Sequence, residues 1–476
     1  MSTAVPPSRL RAFAVLALVL FCGLAAVHAA PQRPPNIVII LADDLGYGDL
    51  GCYGHPSIRT PHLDRMAAEG MRFTQFYSAA EVCTPSRAAL LTGRLPVRSG
   101  MCSEQFRVLR PRSTGCLPAD EVTIAEALKT RGYTTGVVGK WHLGVWSINP
   151  EGHPRRHGFD FNFGLPHSND MDANPGNPKG ASGRLDQDAK WWNSPLYRNE
   201  EIVERPADQS RLTKRYTEEA VKFIRDNKSK PFFLYFPHTF PHVPLFASPD
   251  FRGRSARGLF GDVVEELDWS VGQVLDTLRK EKLDDNTLVF FSSDNGPWLI
   301  MGLAGGSAGL LKEGKGSTWE GGMRVPGIAW WPGKIKPGVT RELAGMLDLF
   351  PTCLALANVP LPKDRVLDGV DMAPVLFGAG KSNRDSWLYY RGERLYAARQ
   401  GAWKAHFLTR AGYGQPKADE HATPQLFNLH EDPSEAHNVA EQNPAVLESI
   451  AKAVAAHRAT LGPFKTQLDG VLPAAK

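Results

Sequence analysis

An α/β sandwich with a large, mostly parallel central sheet is the fold class this sequence predicts, and three observations predict it. Short, continuous, β-branched apolar runs recur along the chain, as strands buried on both faces require. Several of them end in acids, glycines or histidines, where open α/β sheets place their ligands. Amphipathic helical stretches separate the runs up to residue 380, and shorter runs without helices follow. The chain should therefore divide at Gly378 to Asn383 into an α/β domain at 30–380 and a smaller domain at 381–476, an antiparallel sheet with a helix.

Arg9 and Arg11 precede the apolar run Phe13 to Val27, and Val27-His28-Ala29 offers small residues at a cleavage point. Residues 1–29 read as a secretory signal peptide, since the run is short for an anchor helix and no later segment could span a membrane. Asn36 to Leu41 is the first buried strand, ending at Asp43 and Asp44. Thr60 to Gly70 reads as a capped helix and Met71 to Tyr77 as the next strand.

The stretch from Val82 to Arg94 reads as the entrance of a helix that Gly93 terminates. Cys83 lies at its positive end, and Arg87, four residues on, shares its face, so an anion should bind here. A buried or disulfide-bonded cysteine before an ordinary helix is the plainer alternative.

Thr123 to Arg131 is a helix and Thr134 to Val138 a strand leading to Lys140 and His142, which point the same way if the chain stays extended. The stretch 149–208 is rich in Pro, Gly, Asn and Trp and reads as long loops over one face. Ser210 to Asn227 is a helix and Pro231 to Phe236 a strand, followed by a proline-stiffened segment that presents His238 and His242. Gly261 to Lys282 is a helix, and the strand Asn286 to Ser293 ends at Asp294 and Asn295. Gly314 to Arg324 is glycine-rich and carries Lys315, but it lacks the order of a P-loop and leads into a strand. Asp348 to Ala357 is a helix. Beyond the boundary, Ser386 to Tyr390, Leu395 to Arg399, Trp403 to Leu408 and Gln425 to Asn428 read as strands, with a helix at Pro444 to Leu461.

Composition bounds the function. With 476 residues, 42% hydrophobic and 22% charged, the chain is neither disordered nor fibrous, and a net charge of +5 without a basic block argues against a dedicated nucleic-acid binder. Of six cysteines, Cys22 falls in the signal peptide. Five remain, so one is unpaired. If that one is Cys83, then Cys52, Cys102, Cys116 and Cys353 could form up to two bridges, in a pairing the sequence leaves open. Asn227-Lys228-Ser229 is a lone glycosylation sequon.

Asp43, Asp44, Asp294 and Asn295 offer only oxygen, which suits Ca²⁺ or Mg²⁺ and argues against zinc. A cation beside Arg87, Lys140 and Lys315 makes a pocket for a tetrahedral anion. Sulfate and phosphate esters both fit.

Cys83-Thr84-Pro85-Ser86-Arg87, followed by Ala88-Ala89-Leu90-Leu91-Thr92-Gly93-Arg94, resembles the signature of the type I sulfatases, whose C-x-P-x-R cysteine is oxidised after translation to formylglycine (3-oxoalanine). Asn36 to Gly54, Gly139 to Gly144, Ser293 to Pro297 and Gly314 to Arg324 extend the resemblance over nearly the whole mature chain. It is similar to both the arylsulfatase A and the N-acetylgalactosamine-6-sulfatase branches, and its amino-terminal motifs lean towards the first. Arg156 to Asp160, Tyr389 to Glu393 and Lys404 to Phe407 lean towards the second.

The resemblance implies an alkaline-phosphatase-like sandwich and hydrolysis of aryl sulfates, sulfated sugars or glycolipids. By it, Asp43, Asp44, Asp294 and Asn295 hold a divalent cation, Ca²⁺ above all, which also contacts the formylglycine made from Cys83. One hydroxyl of the hydrated aldehyde attacks sulfur, and the other lets sulfate be eliminated. Lys315 and His242 hold the sulfate and protonate the leaving oxygen, His142 is the base for elimination, and Arg87 and Lys140 neutralise charge. Ser168 resembles a sulfate-contacting position. A maturation enzyme is the implied partner, and export leads to the periplasm, the exterior or a lysosome. Two other readings stand beside this one: a phosphoester hydrolase of the same superfamily, which would carry Ser or Thr in place of Cys83, and a binding protein in which Cys83 is never oxidised.

Overall fold

The computed structural model describes residue 1 and residues 33–177, 184–185, 188–378 and 380–473. The expected signal peptide lies, Met1 apart, outside the described residues.

The first strand, β1 (Asn36–Ala42), shows why a continuous apolar run is needed. Its side chains alternate between faces, and both faces are covered. Val38, Ile40 and Ala42 enter one hydrophobic core, Ile37, Ile39 and Leu41 the other. The sheet is built from β1, β2 (Met71–Tyr77), β3 (Thr134–Val138), β4 (Phe161–Gly164), β5 (Leu196–Arg198), β6 (Glu201–Glu204), β7 (Phe232–Pro237), β8 (Thr287–Ser293), β9 (Arg324–Trp330) and β10 (Gly338–Thr340). Their order is β10-β2-β9-β8-β1-β7-β3-β4-β5-β6, and a further strand, β11 (Ala344–Gly345), pairs with β2. The centre, β8-β1-β7-β3-β4, is parallel. Strand β9 runs antiparallel between β8 and β2.

Among the helices, α1 (Pro61–Glu69), α2 (Cys83–Thr92), α3 (Ile124–Lys129), α4 (Leu212–Asp226), α5 (Leu259–Lys280) and α6 (Leu349–Leu356) cover the sheet. Leu63, Leu212, Tyr216, Leu267 and Val271 of α1, α4 and α5 pack in the first core. Leu90, Leu91, Ile124, Leu128, Phe350 and Cys353 of α2, α3 and α6 pack in the second. Thr123 caps α3 in a reciprocal capping box with Glu126.

The stretch expected as loops at 149–208 contains β4, β5 and β6, which extend the sheet to its edge. At four, three and four residues they are too short to show alternation in sequence. The glycine-rich stretch also holds one helical turn, Glu320–Met323, before β9.

A second sheet follows, β12 (Ser386–Arg391), β13 (Arg394–Gln400), β14 (Trp403–Thr409) and β15 (Asp419–Asn428), antiparallel in that order, with α7 (Pro444–Arg458) against it. It is fastened to the rest by a buried polar network. Glu320 accepts from Tyr77 Oη (2.5 Å) and from Lys404 Nζ (3.0 Å), and Lys404 also donates to Thr318 O (2.8 Å). His406 Nε2 lies 2.7 Å from Glu435.

No disulfide forms among the described residues, where up to two were possible. The thiols are scattered. Cys52 packs on the first core, Cys353 in the second, Cys102 in a third beneath the small sheet, and Cys116 lies 3.4 Å from Asn149 Nδ2.

Candidate active site

Sheet register alone brings the two acidic clusters together. Ala42 of β1 pairs with Ser293 of β8, so Asp43 and Asp294 are the next residues off adjacent parallel strands. Asp294 N continues the ladder to Ala42 O (3.1 Å), and Asp44, in the left-handed region at φ 65°, donates its N–H to Asp294 Oδ1 (3.2 Å). Asn295 Nδ2 then donates to Asp44 Oδ1 (2.7 Å).

The neighbouring strands bring the cations. Lys140 N donates to Pro237 O at the end of β7 (2.7 Å), and its ammonium ion-pairs with Asp43. Gly139, at φ 127°, makes this turn. A Cβ there would stand 1.8 Å from Pro237 O. Arg87, one helical turn along α2 from Cys83, is fully buried against the carboxylates. Its Nε and Nη2 lie 2.9 Å from Asp294 Oδ2, its Nη2 lies 3.2 Å from Asp43 Oδ2, and its Nη1 donates to Lys140 O (2.6 Å). Lys315 Nζ donates to Asp44 Oδ2 (2.8 Å).

Three carboxylates thus face three side-chain cations. Burial works to raise the Asp43 carboxyl, but Lys140 and then Arg87 hold it well below the usual range. Burial, then Asp43, raises Asp294. Lys315 is desolvated, yet Asp44 holds its ammonium above its usual value. Two acceptors are left over. Asp43 Oδ1 and Asn295 Oδ1 are buried and receive no hydrogen bond among the described residues. A carboxylate oxygen of Asp43, one of Asp294 and Cys83 Sγ lie within 4.8 Å of one another, so the two carboxylates can share one hard cation, and position 83 would join them only with an oxygen in place of the sulfur.

Cys83 is the first residue of α2, after Val82, which offers no side-chain cap. The helix end does not activate it as a thiol. Burial pushes Cys83 up to about 11 against the pull of Lys140 and Lys315. Arg87 and Lys140 sit behind the carboxylates, and the cavity of about 520 Å³ in front of Cys83 is lined instead by His142, Ser168, His242 and Lys315.

His142 has φ 60°, so the extended chain assumed for Lys140 and His142 is broken. Its Nε2 lies 2.9 Å from Leu109 O and therefore carries the proton, which leaves Nδ1, buried and unpartnered among the described residues, as a lone pair. Burial, then Lys140, keeps the ring neutral. His242 Nδ1 faces Val243 O (2.5 Å), and its Nε2 lies 3.6 Å from Asp44 Oδ2. Ser168 Oγ accepts from Lys140 Nζ (3.2 Å) and lies 3.4 Å from His242. Of the two histidines expected after β7, His238 turns into the core against Phe236 (4.2 Å).

Trp298, Tyr413, Asp170, Arg184, Arg107 and Arg110 also line the cavity, and sequence reasoning missed them. Trp298 lies beside Lys315 (4.2 Å from ring centre to Nζ) and His242 (5.3 Å). Its place directly after Asn295-Gly296-Pro297 was the available signal. The others come from irregular loops with no periodicity. Lys404 and His406, in contrast, lie in the buried network under the Lys315 loop, so their motif concerns support of that loop and not contact with substrate.

Two family models match the chain: Sulfatase over residues 35–359, and the C-terminal region of aryl-sulfatase over residues 382–474. Arylsulfatase A of Homo sapiens is 45% identical over 490 residues, covering 96% of this chain and 92% of the relative. N-acetylgalactosamine-6-sulfatase of Canis lupus familiaris is 41% identical, covering 95% and 91%. Among solved structures, the PsFucS1 sulfatase from Pseudoalteromonas sp. superimposes with a TM-score of 0.79 at 30% identity, covering 92% of each chain.

Proposed function

Because the chain belongs to the sulfatase family and hydrolyses sulfate esters to an alcohol and inorganic sulfate, we propose that it does so in the Cys83 cavity, with Cys83 converted to formylglycine. Asp43, Asp44, Asp294, Asn295 and the converted residue would hold a divalent cation, Ca²⁺ with Mg²⁺ as the alternative. The observation that carries this reading is the pair of buried, unpartnered acceptors, Asp43 Oδ1 and Asn295 Oδ1, in the carboxylate cluster that Cys83 joins. Two such oxygens cost stability unless something binds them.

Formylglycine, as its hydrate, supplies a nucleophilic hydroxyl and, on the same carbon, a second one through which sulfate is released; the cation supplies charge neutralisation. The chain's own residues do the rest. Three carboxylates already matched by Arg87, Lys140 and Lys315 leave the charge of a divalent cation uncompensated, which suits a bound sulfate. Lys315 and Ser168 orient the sulfate oxygens. His242 gains or loses its proton at Nε2, because Nδ1 is engaged with Val243 O, and this nitrogen serves the leaving oxygen. His142, neutral and with a free Nδ1 lone pair, is the base.

Cys83 is 2% exposed in the fold, so the enzyme that oxidises it acts before folding is complete. Residues 1–29 would direct export, and no helix of the described residues is long and apolar enough to cross a membrane. The division into domains at 30–380 and 381–476 belongs to the same reading.

Mass spectrometry of the tryptic peptide containing Cys83 tests it. Conversion makes the peptide about 18 Da lighter than the thiol form, and the converted fraction should track turnover of 4-nitrophenyl sulfate. Full activity with an unmodified thiol would overturn the mechanism.

A further inference from the structure

The cavity wall away from the metal-binding carboxylates carries positive charge that the sulfate-handling groups do not use. Arg107 Nη2 pairs with Glu81 (2.9 Å), and its guanidinium lies 5.5 Å from the Tyr413 ring. Its Nε is buried and unpartnered among the described residues. Arg110 is exposed, lies 4.5 Å over Phe106 and forms no ion pair among the described residues. Just behind the wall, Arg391 donates to Ala411 O (3.3 Å) and Gly412 O (3.4 Å), and burial together with Arg107 lowers it to about 10. Glu81 is the only carboxylate paired with this group among the described residues, so the wall holds excess cation.

Beside it, Trp298 and Tyr413 stand 5.5 Å apart, their rings inclined by 35°. Trp298 also lies beside His242 and Lys315 and beneath Arg184 (5.3 Å), so the aromatic pair stands between the sulfate-handling groups and the arginines.

We propose that this wall binds a second anionic group on the alcohol side of the substrate, a carboxylate or another sulfate ester, and that the substrate is therefore a polyanionic sulfated saccharide whose sugar ring lies against Trp298 and Tyr413. The inference rests on the sulfate-ester reading. Arg110 is the specificity residue: it is unpaired, and its planar fork suits either anion. Arg107, fixed by Glu81, shapes the field behind it.

The Cys83→Ala protein, loaded with Ca²⁺, allows binding to be measured without turnover. Calorimetry compares N-acetylgalactosamine 6-sulfate, its 4,6-disulfate, and the 6-sulfate joined to a uronic acid. At low salt at least one of the two dianions should bind about tenfold more tightly than the monosulfate, and which of them does identifies the second anion as sulfate or carboxylate. Adding Arg110→Gln should bring that ratio within about twofold of unity, whereas Arg112→Gln, an exposed arginine outside the cavity lining, should leave it intact. Equal affinity for all three ligands, a preference that survives Arg110→Gln, or tighter binding of an apolar alkyl sulfate along neighbouring Leu299 and Ile300 would overturn the proposal. Turnover separates the two readings. If binding discriminates but the converted enzyme cleaves no sulfate ester, the second-anion site stands and the mechanism above falls.

Discussion

Arg87 grips Asp294 with two nitrogens at once, Nε and Nη2 both 2.9 Å from Oδ2, in a place where neither side chain has any exposure. The arginine of the C-x-P-x-R motif is thus a brace for a carboxylate and not a hook for the substrate. Its remaining contacts, to Asp43 and to Lys140 O, tie the α2 entrance to the ends of β1, β8 and β3. Arg87→Met removes a buried charge while keeping volume, and it leaves Asp43 and Asp294 to repel each other. Stability should fall by about 3–5 kcal/mol, the cost of stranding a buried partner. Activity should fall at least about a hundredfold, since the carboxylates lose the brace that positions them. Denaturant titration and turnover of 4-nitrophenyl sulfate check both. A stable, active variant would show that α2 alone sets the site.

Binding of a cation to Asp43, Asp44, Asp294 and Asn295 should be visible as stability as well as activity, because it would satisfy the stranded Asp43 Oδ1 and Asn295 Oδ1. A ligand at a hundred times its dissociation constant adds about 2.7 kcal/mol. Chelation should therefore lower the melting temperature and abolish turnover together, with Ca²⁺ restoring both. Asn295→Ala should weaken the Ca²⁺ dependence of the melting temperature. A melting temperature indifferent to chelator and to added Ca²⁺ would argue against a cation site here.

The small sheet acts on the site through Lys404. Its Nζ is held between Thr318 O (2.8 Å), Glu320 (3.0 Å) and Glu435 (2.9 Å), directly beneath the loop that carries Lys315. Lys404→Met leaves Glu320 and Glu435 buried with less positive charge, so stability should drop by about 3–5 kcal/mol. The loop should loosen too. KM for a sulfate ester should then rise more than kcat falls, because the role proposed for Lys315 is to hold the sulfate, and Cys83 is untouched. An unchanged KM with lower stability would confine Lys404 to holding the small sheet in place.

What was legible in the sequence follows from how many residues carry each signal. β1 and β8 are seven-residue apolar strands ending in acids, so both the strands and the meeting of Asp43 with Asp294 could be anticipated from parallel pairing. The Cys83 motif, with proline inside the helix and Gly93 in the left-handed region at φ 67° after it, likewise declares its helix. β4, β5 and β6 could not be seen, because three or four residues do not establish a period and their edge position is a tertiary fact. Arg110 and Tyr413 were hidden for another reason. They come from loops some 300 residues apart that only the closed fold brings to one wall. The inward turn of His238 and the opposite behaviour of His242 depend on packing against Phe236 and Val243, which the proline-rich segment does not reveal.

Asp268 of α5 supplies a pH dependence remote from the catalytic groups. Its carboxylate accepts the backbone N–H groups of Leu63 (2.7 Å) and His62 (3.1 Å) at the start of α1, yet burial outweighs these donors and pushes it from the ordinary 3.8 up to about 7. Between those values the folded protein keeps a proton that the unfolded chain has released. The stability this contributes is complete below about pH 4, declines as pH rises, and is gone above about pH 7, on the order of 4 kcal/mol in all. Asp49 is shifted in the same direction, so the test must be a difference. Asp268→Asn keeps one acceptor oxygen and cannot titrate. The stability of the wild type relative to Asp268→Asn should therefore fall steadily from pH 4 to pH 7 and level off above it. A flat difference would mean that Asp268 is already ionised in the fold, and that its two backbone donors prevail over burial.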